Sequence, residues 1–249
     1  MSMKKLILSF FLFTAISSIT AQTEILKDNG SWLTLSSKIT VSDKFFVSGV
    51  YQQRRVDFLA NTQGFFLTPS LNYNLTKGIS VGVGYIYYKG FPEGVSHAPI
   101  HWTENSLYQT VSVSSSVGKI NFNQRFMFEE RTIDLINTTV TPNQVEGNKH
   151  VNRFRYRLQA SFNMFKLKND KFIMGKLSNE LRVRFSDGVA NPDFDQNNFC
   201  ALLGYKLLDN SSFWMGYGRY YYKKNSSQYV ASNLLHMNLS YNIDLRKKK

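Results

Sequence analysis

The stretch NRFRYRLQASF, residues 152–162, decides the fold. Its odd positions hold Arg153, Arg155 and Arg157, and the even positions between them hold Phe154, Tyr156 and Leu158. A helix would spread these arginines around its circumference, whereas a strand puts them in one row and the apolar residues in the other. A soluble β-sandwich would turn the apolar row towards its core. A membrane barrel would turn it towards lipid and the arginines towards a polar interior.

The same period of two continues along most of the chain after about residue 30. GISVGVGYIYY, residues 78–88, places Ile79, Val81, Val83, Tyr85 and Tyr87 on one face and small residues on the other. Such segments run roughly ten to thirteen residues, longer than the roughly five or six usual in globular proteins and close to the length of a tilted membrane strand. Strand length therefore favours a membrane barrel.

The connections between these segments alternate in length. Short turns are predicted at residues 42–44, 76–78, 118–119, 168–171 and 208–211, and longer polar loops at residues 91–104, 132–149 and 186–197. Short turns on one side and long loops on the other are typical of outer-membrane barrels. We predict an all-β fold, a single antiparallel transmembrane barrel. Eleven strands are legible, so we expect twelve, with one hidden in TEILKDNGS, residues 23–31; ten is the alternative.

Composition and the N-terminus agree with export to a membrane. The chain has 249 residues, a formal charge of +13 and 15% aromatic residues, which are frequent where aromatic girdles line membrane interfaces. Lys4 and Lys5 precede an apolar run that leads to small residues, which predicts a signal peptide over residues 1–21 with cleavage after Ala21. The barrel then covers residues 22–249. Its one cysteine, Cys200, excludes an intramolecular disulfide.

Several motifs together resemble a Gram-negative outer-membrane family, domain of unknown function 2490. They are Trp32, YQQRR, GVGYIYY, NQRFMFEER, NRFRYRLQ, NELRVRF and FDQNNF, in that order and spread over nearly the whole mature chain. Similar sequences often have an arginine where this chain has Asn198, so one expected interior charge is missing. The resemblance implies an outer-membrane barrel and implies no activity and no catalytic residues.

Alternation assigns a charged wall to the barrel interior, on three consecutive strands. Its members are Arg125, Glu129, Arg153, Arg155, Arg157, Lys176, Glu180, Arg182 and Arg184. In one interpretation the arginines pair with the two glutamates and close a narrow lumen. In the other, seven basic residues against two acidic ones form an anion-attracting channel. We favour a structural or accessory subunit of an outer-membrane assembly, with a small channel for anionic solutes as the alternative.

Other residues give weak signals for chemistry. His97 and His101 lie near Glu93 and Glu104 in a predicted outer loop, which is a weak basis for a metal site. No serine nucleophile with an orienting partner can be assigned near His150. We therefore expect no enzymatic activity, no catalytic or metal-ligating residues and no cofactor. The expected partner is outer-membrane lipid; other outer-membrane proteins and small anionic solutes are candidates, and nucleic acid is not expected.

Overall fold

The computed structural model describes residues 24–95, 97–167, 171–185 and 192–246. Every regular element in these ranges is a β-strand. The strands are β1 Glu24–Thr40, β2 Phe45–Val56, β3 Asn61–Asn74, β4 Ile79–Gly90, β5 Trp102–Val117, β6 Ile120–Asn137, β7 Gln144–Lys166, β8 Phe172–Phe185, β9 Pro192–Leu208, β10 Ser211–Lys223 and β11 Gln228–Asp244. Within the described ranges, no helix is both long and apolar enough to cross a membrane. The predicted signal peptide, residues 1–21, lies outside these ranges.

The eleven described strands form one closed barrel in which each strand pairs with its sequence neighbours. These neighbours are antiparallel, whereas β1 and β11 close the barrel as a parallel pair, from Glu24 opposite Gln228 to Thr40 opposite Asp244. The predictions of twelve and ten strands are therefore wrong for the described residues. Glu24–Ser31 is the first part of β1 and not a separate strand. A parallel closing pair allows an odd number, because both closing strands then run in the same direction.

The strands present mainly apolar residues outwards, and their inner faces combine polar or small residues with a few buried apolar clusters. Leu71, Val83 and Leu107 are 50%, 57% and 60% exposed on the outer surface. Ser70 in β3 and Ser48 in β2 point inwards and hydrogen-bond each other at 2.7 Å. The period of two therefore separates the faces as the sequence predicted, around a partly filled polar interior.

The two ends of the barrel differ, and we name them by their connections. The turn end holds the connections at residues 41–44, 75–78, 118–119 and 209–210, and the loop end holds those at residues 57–60, 91–101, 138–143 and 224–227. The loop predicted over residues 132–149 is mostly strand. Asp134 pairs with Asn148 across β6 and β7, so backbone hydrogen bonds extend this polar hairpin and leave residues 138–143 as its loop.

Candidate functional site

The nine side chains of the predicted charged wall lie on the inner face of β6, β7 and β8. Cross-strand register puts Glu129 opposite Arg153 and Arg125 opposite Arg157 on β6 and β7. It puts Arg155 opposite Arg182 and Arg157 opposite Glu180 on β7 and β8. Directly opposed side chains in a sheet are close enough to interact. The register therefore creates contacts between unlike charges and also between like charges.

Glu129 is the centre of the ion-pair network. Its side chain has no solvent exposure, and it accepts hydrogen bonds from Arg153 Nε at 2.5 Å and Arg155 Nη1 at 2.6 Å. An unpaired carboxylate at this depth would be very unfavourable, whereas two charge-assisted hydrogen bonds compensate its lost hydration. Glu129 and its two arginines consequently form a fixed unit.

Glu180 is a second branching point, one strand away. It accepts hydrogen bonds from Arg125 Nη2 at 2.5 Å, from Arg155 Nη2 at 2.6 Å and from Arg182 Nε at 2.8 Å. Arg155 therefore bridges Glu129 and Glu180 and joins the two clusters. We call the connected ion pairs around Glu129 and Glu180 the ion-pair band.

Two further carboxylates extend the ion-pair band, and sequence analysis did not assign them to it. The loop predicted over residues 91–104 includes Glu104, but this residue lies in β5, is 3% exposed and pairs with Arg131 at 2.6 Å. Asp195 pairs with Arg153 at 3.1 Å. Asp195 does not follow the odd–even alternation because it is the extra residue of a β-bulge in β9. Arg182 lies opposite Gln196 and Val183 opposite Phe194, so Asp195 has no partner on β8. The carboxylates in the band thus rise from the two predicted to four.

Across the barrel from this wall, Arg54 fills the interior together with aromatic rings. Its guanidinium carbon lies 4.2 Å from the ring centre of Trp32, 4.3 Å from that of Phe66 and 5.0 Å from that of Tyr220. A guanidinium on aromatic faces is stabilised by the ring quadrupole, more strongly when water is excluded. We call this group the Arg54 cluster. Trp32 and Arg54 belong to the family motifs, but the sequence did not predict that they contact each other.

The ion-pair band and the Arg54 cluster divide the interior into two cavities. The loop-side cavity has a volume of about 540 Å³, and the turn-side cavity about 490 Å³. Arg54, Phe66 and Arg182 line both cavities, so these residues stand at the boundary between them. Because Arg54 and Arg182 are 7% and 6% exposed, this level of the barrel is densely packed.

The turn-side cavity contains two basic wall residues, Arg157 and Lys176, that form no ion pair with a carboxylate of the described residues. Arg157 donates to Asn123 Oδ1 at 3.1 Å, and Lys176 Nζ lies 3.7 Å from the ring centre of Trp214. Within the described ranges, no carboxylate lies within ion-pair distance of either side chain. By contrast, Arg184, at the loop side, pairs with Asp193 at 3.0 Å.

The histidines make ordinary contacts. His97 Nδ1 lies 2.9 Å from the carbonyl oxygen of Ala98, and the His101 ring packs edge-on against Phe91. His236 points inwards, between Thr34 at 3.2 Å and the Cys200 Sγ at 3.5 Å. In the part of the chain that the structure describes, no three His, Cys, Asp or Glu residues are grouped as a metal site would require.

Comparison with known proteins gives one match. The model of a family described as "Protein of unknown function (DUF2490)" matches residues 29–231, from within β1 to within β11. No curated protein and no solved structure matches the chain.

Proposed function

This chain belongs to DUF2490, a family of proteins of unknown function, and we propose that it is an outer-membrane β-barrel that serves as a structural or accessory subunit of an outer-membrane assembly. Its partners are then outer-membrane lipid and neighbouring outer-membrane proteins. The proposal assigns no enzymatic step to the barrel.

The outer surface supports the membrane part of the proposal. Large apolar side chains such as Leu71, Val83 and Leu107 are half exposed or more on strands around the barrel. Soluble monomers rarely expose contiguous apolar surface of this extent, whereas a barrel in lipid requires it. The leader-like residues 1–21 and the division into turn and loop ends agree with export and insertion.

One observation favours the accessory role over an open pore: the boundary between the two cavities is filled by paired charges and by aromatic rings packed around Arg54. An ion crossing the barrel needs a continuous water path. At the boundary level it would meet Glu129, which is fully buried, and the packed Arg54 and Arg182. Opening this level would separate buried ion pairs, which costs several kcal/mol for each unpaired charge.

The second candidate function, a small channel for anionic solutes, is favoured by the turn-side cavity. Arg157 and Lys176 offer positive charge there without a paired carboxylate in the described ranges, and rows of such residues select anions in pores. This function requires Arg54 and Arg182 to move apart so that the two cavities join.

Four measurements test the proposal. We expect outer-membrane fractionation, heat-modifiable migration on a gel, silence in planar bilayers, and co-purification of a stoichiometric partner in mild detergent. A soluble periplasmic monomer would exclude the membrane barrel. Anion-selective current steps from the wild-type protein would favour the channel, and a monomer without a partner would contradict the accessory role.

A substitution on the outer surface tests the lipid contact separately. Leu67→Arg, at the middle of β3 and between Tyr51 and Tyr87, should lower the free energy of unfolding by roughly 2–4 kcal/mol if this position lies near the middle of the bilayer. Leu75→Arg, in the connection at residues 75–78, is the control and should have a small effect, because the cost falls towards the membrane interface. Equal effects of the two substitutions on unfolding in lipid vesicles would contradict the membrane assignment.

A further inference from the structure

Two arginines in the turn-side cavity lie directly opposite each other, with one shared carboxylate, Glu180, beside them. Arg125 and Arg157 are direct cross-strand partners on β6 and β7, and both side chains line the cavity. Like charges at directly opposed positions destabilise a sheet. Of these two arginines, Glu180 forms an ion pair only with Arg125, at 2.5 Å, although it lies directly opposite Arg157 on β8, and it is shared with Arg155 and Arg182. The Arg125–Arg157 pair therefore retains an excess of positive charge.

The hydrogen-bonding groups of the same two arginines are also incompletely used. The Nε atoms of Arg125 and Arg157 are both buried and have no hydrogen-bond partner in the described part of the chain. Arg157 has one acceptor, the amide oxygen of Asn123 at 3.1 Å. A buried donor without an acceptor is unfavourable, and more so when it is charged. The two guanidinium groups at this cavity are therefore incompletely satisfied by the protein.

Lys176 adds a third cation on the neighbouring strand. It lies four residues from Glu180 along β8 and on the same face, roughly 13 Å away at the 3.3 Å rise of a strand. Its ammonium group rests on Trp214, which holds the positive charge at the cavity surface. Uncharged polar groups complete this wall, with Gln159 opposite Ser178 between the levels of Arg157 and Lys176.

We propose that the turn-side cavity binds the oxyanion group, a phosphate or a carboxylate, of a small hydrophilic solute. Its oxygens accept hydrogen bonds from the Arg157 guanidinium, and Arg125 and Lys176 contribute further positive charge. The volume of about 490 Å³ fits a small organic molecule. Hydroxyl and amide side chains around the cavity suit the hydroxyl groups of such a solute; they include Thr34, Ser36, Ser48, Asn72, Thr110, Ser112 and Asn238.

The solute enters from the turn end. The cavity lining reaches Phe46 and Ser80, the second residues of β2 and β4, which lie next to turn-end connections. The opposite side of the cavity is bounded by Arg54 and Arg182. This binding site requires a closed barrel with a polar interior and is independent of the accessory role.

Calorimetric titration of the barrel in a nonionic detergent tests the site, with inorganic phosphate and glucose 6-phosphate as soluble probes. We expect saturable binding of one equivalent of each probe and no binding of glucose. Arg157→Gln and Lys176→Gln should each weaken the affinity at least about tenfold, which is the loss expected for one charge-assisted hydrogen bond. Heat-modifiable migration shows that each variant has folded.

The matched control is Lys149→Gln. It removes the same charge, but Lys149 lines the loop-side cavity, so the affinity should stay within about twofold of the wild-type value. Equal weakening by all three substitutions would show a general effect of net charge and overturn the site. The proposal also fails if neither probe binds, or if binding occurs only to vesicles with anionic headgroups, since a lipid would then be the ligand. Current recordings and partner purification test the proposed function independently of these titrations.

Discussion

Replacing Glu129 by glutamine isolates the contribution of one charge in the ion-pair band. The substitution keeps the side-chain volume but weakens two charge-assisted hydrogen bonds, from Arg153 at 2.5 Å and Arg155 at 2.6 Å. A hydrogen bond to a charged group contributes about 1.5–3 kcal/mol, against about 0.5–1.5 for a neutral one. Two such losses amount to about 2–3 kcal/mol, and breaking a buried pair typically costs about 3–5 kcal/mol. We therefore expect the free energy of unfolding to fall by about 3 kcal/mol.

Glu130→Gln is the matched control for Glu129→Gln. It makes the same chemical change one residue along β6, on the outer face, where Glu130 is exposed and accepts one hydrogen bond, from Gln109 at 3.1 Å. Urea titration of both variants folded into lipid vesicles, followed by tryptophan fluorescence, measures the two free energies. The control should lose less than about 1 kcal/mol. If the two variants differ by less than about 0.5 kcal/mol, Glu129 does not hold the interior together as inferred.

Two further predictions concern the closure and the orientation of the barrel. Arg54→Ala removes a cation from three aromatic rings and should lower the free energy of unfolding by about 2 kcal/mol. It should also join the two cavities and produce current steps in bilayers. The control is Arg55→Ala, whose side chain donates to carbonyl oxygens of the loop-end connection at residues 57–60; this variant should produce no current. In a Cys200→Ser background, Ser226→Cys at the loop end should react with an impermeant maleimide on intact cells. Lys77→Cys at the turn end should react only after permeabilisation. The reverse pattern would contradict an orientation in which the loop end faces the outside of the cell.

Alternation made the fold and the inward-facing wall predictable, because one side chain in two faces the interior of any barrel strand. Arg153, Arg155 and Arg157 follow this rule throughout the long strand β7. The predicted strand count failed for a different reason. Side-chain patterns do not show whether the first and last strands run parallel or antiparallel, and the parallel pairing of β1 with β11 permits eleven in the described residues.

Two carboxylates of the ion-pair band, Glu104 and Asp195, and the Arg54 cluster could not be predicted from the sequence. The β-bulge at Asp195 adds one residue to β9, so the simple odd–even count no longer predicts which side chains point inwards. Glu104 was assigned to a loop because β5 begins only two residues before it, at Trp102. The Arg54 cluster combines residues from β1, β2, β3 and β10, so it depends on how the barrel closes.

Pairing within the sheet decides the role of each wall arginine, and the two interpretations of the wall therefore apply at different levels. Arg155 and Arg157 are two residues apart on the same face of β7, but Arg155 forms ion pairs with Glu129 and Glu180, whereas Arg157 lies between Arg125 and Glu180 and forms no ion pair within the described residues. Removing the charge of Arg155 would leave buried carboxylates underpaired, while removing that of Arg157 would break no ion pair and would relieve its repulsion with Arg125. A charge that forms no ion pair in the interior is better explained by a ligand than by architecture. The ion-pair band accordingly fills the interior at its own level, and the proposed anion site lies on the turn side of it.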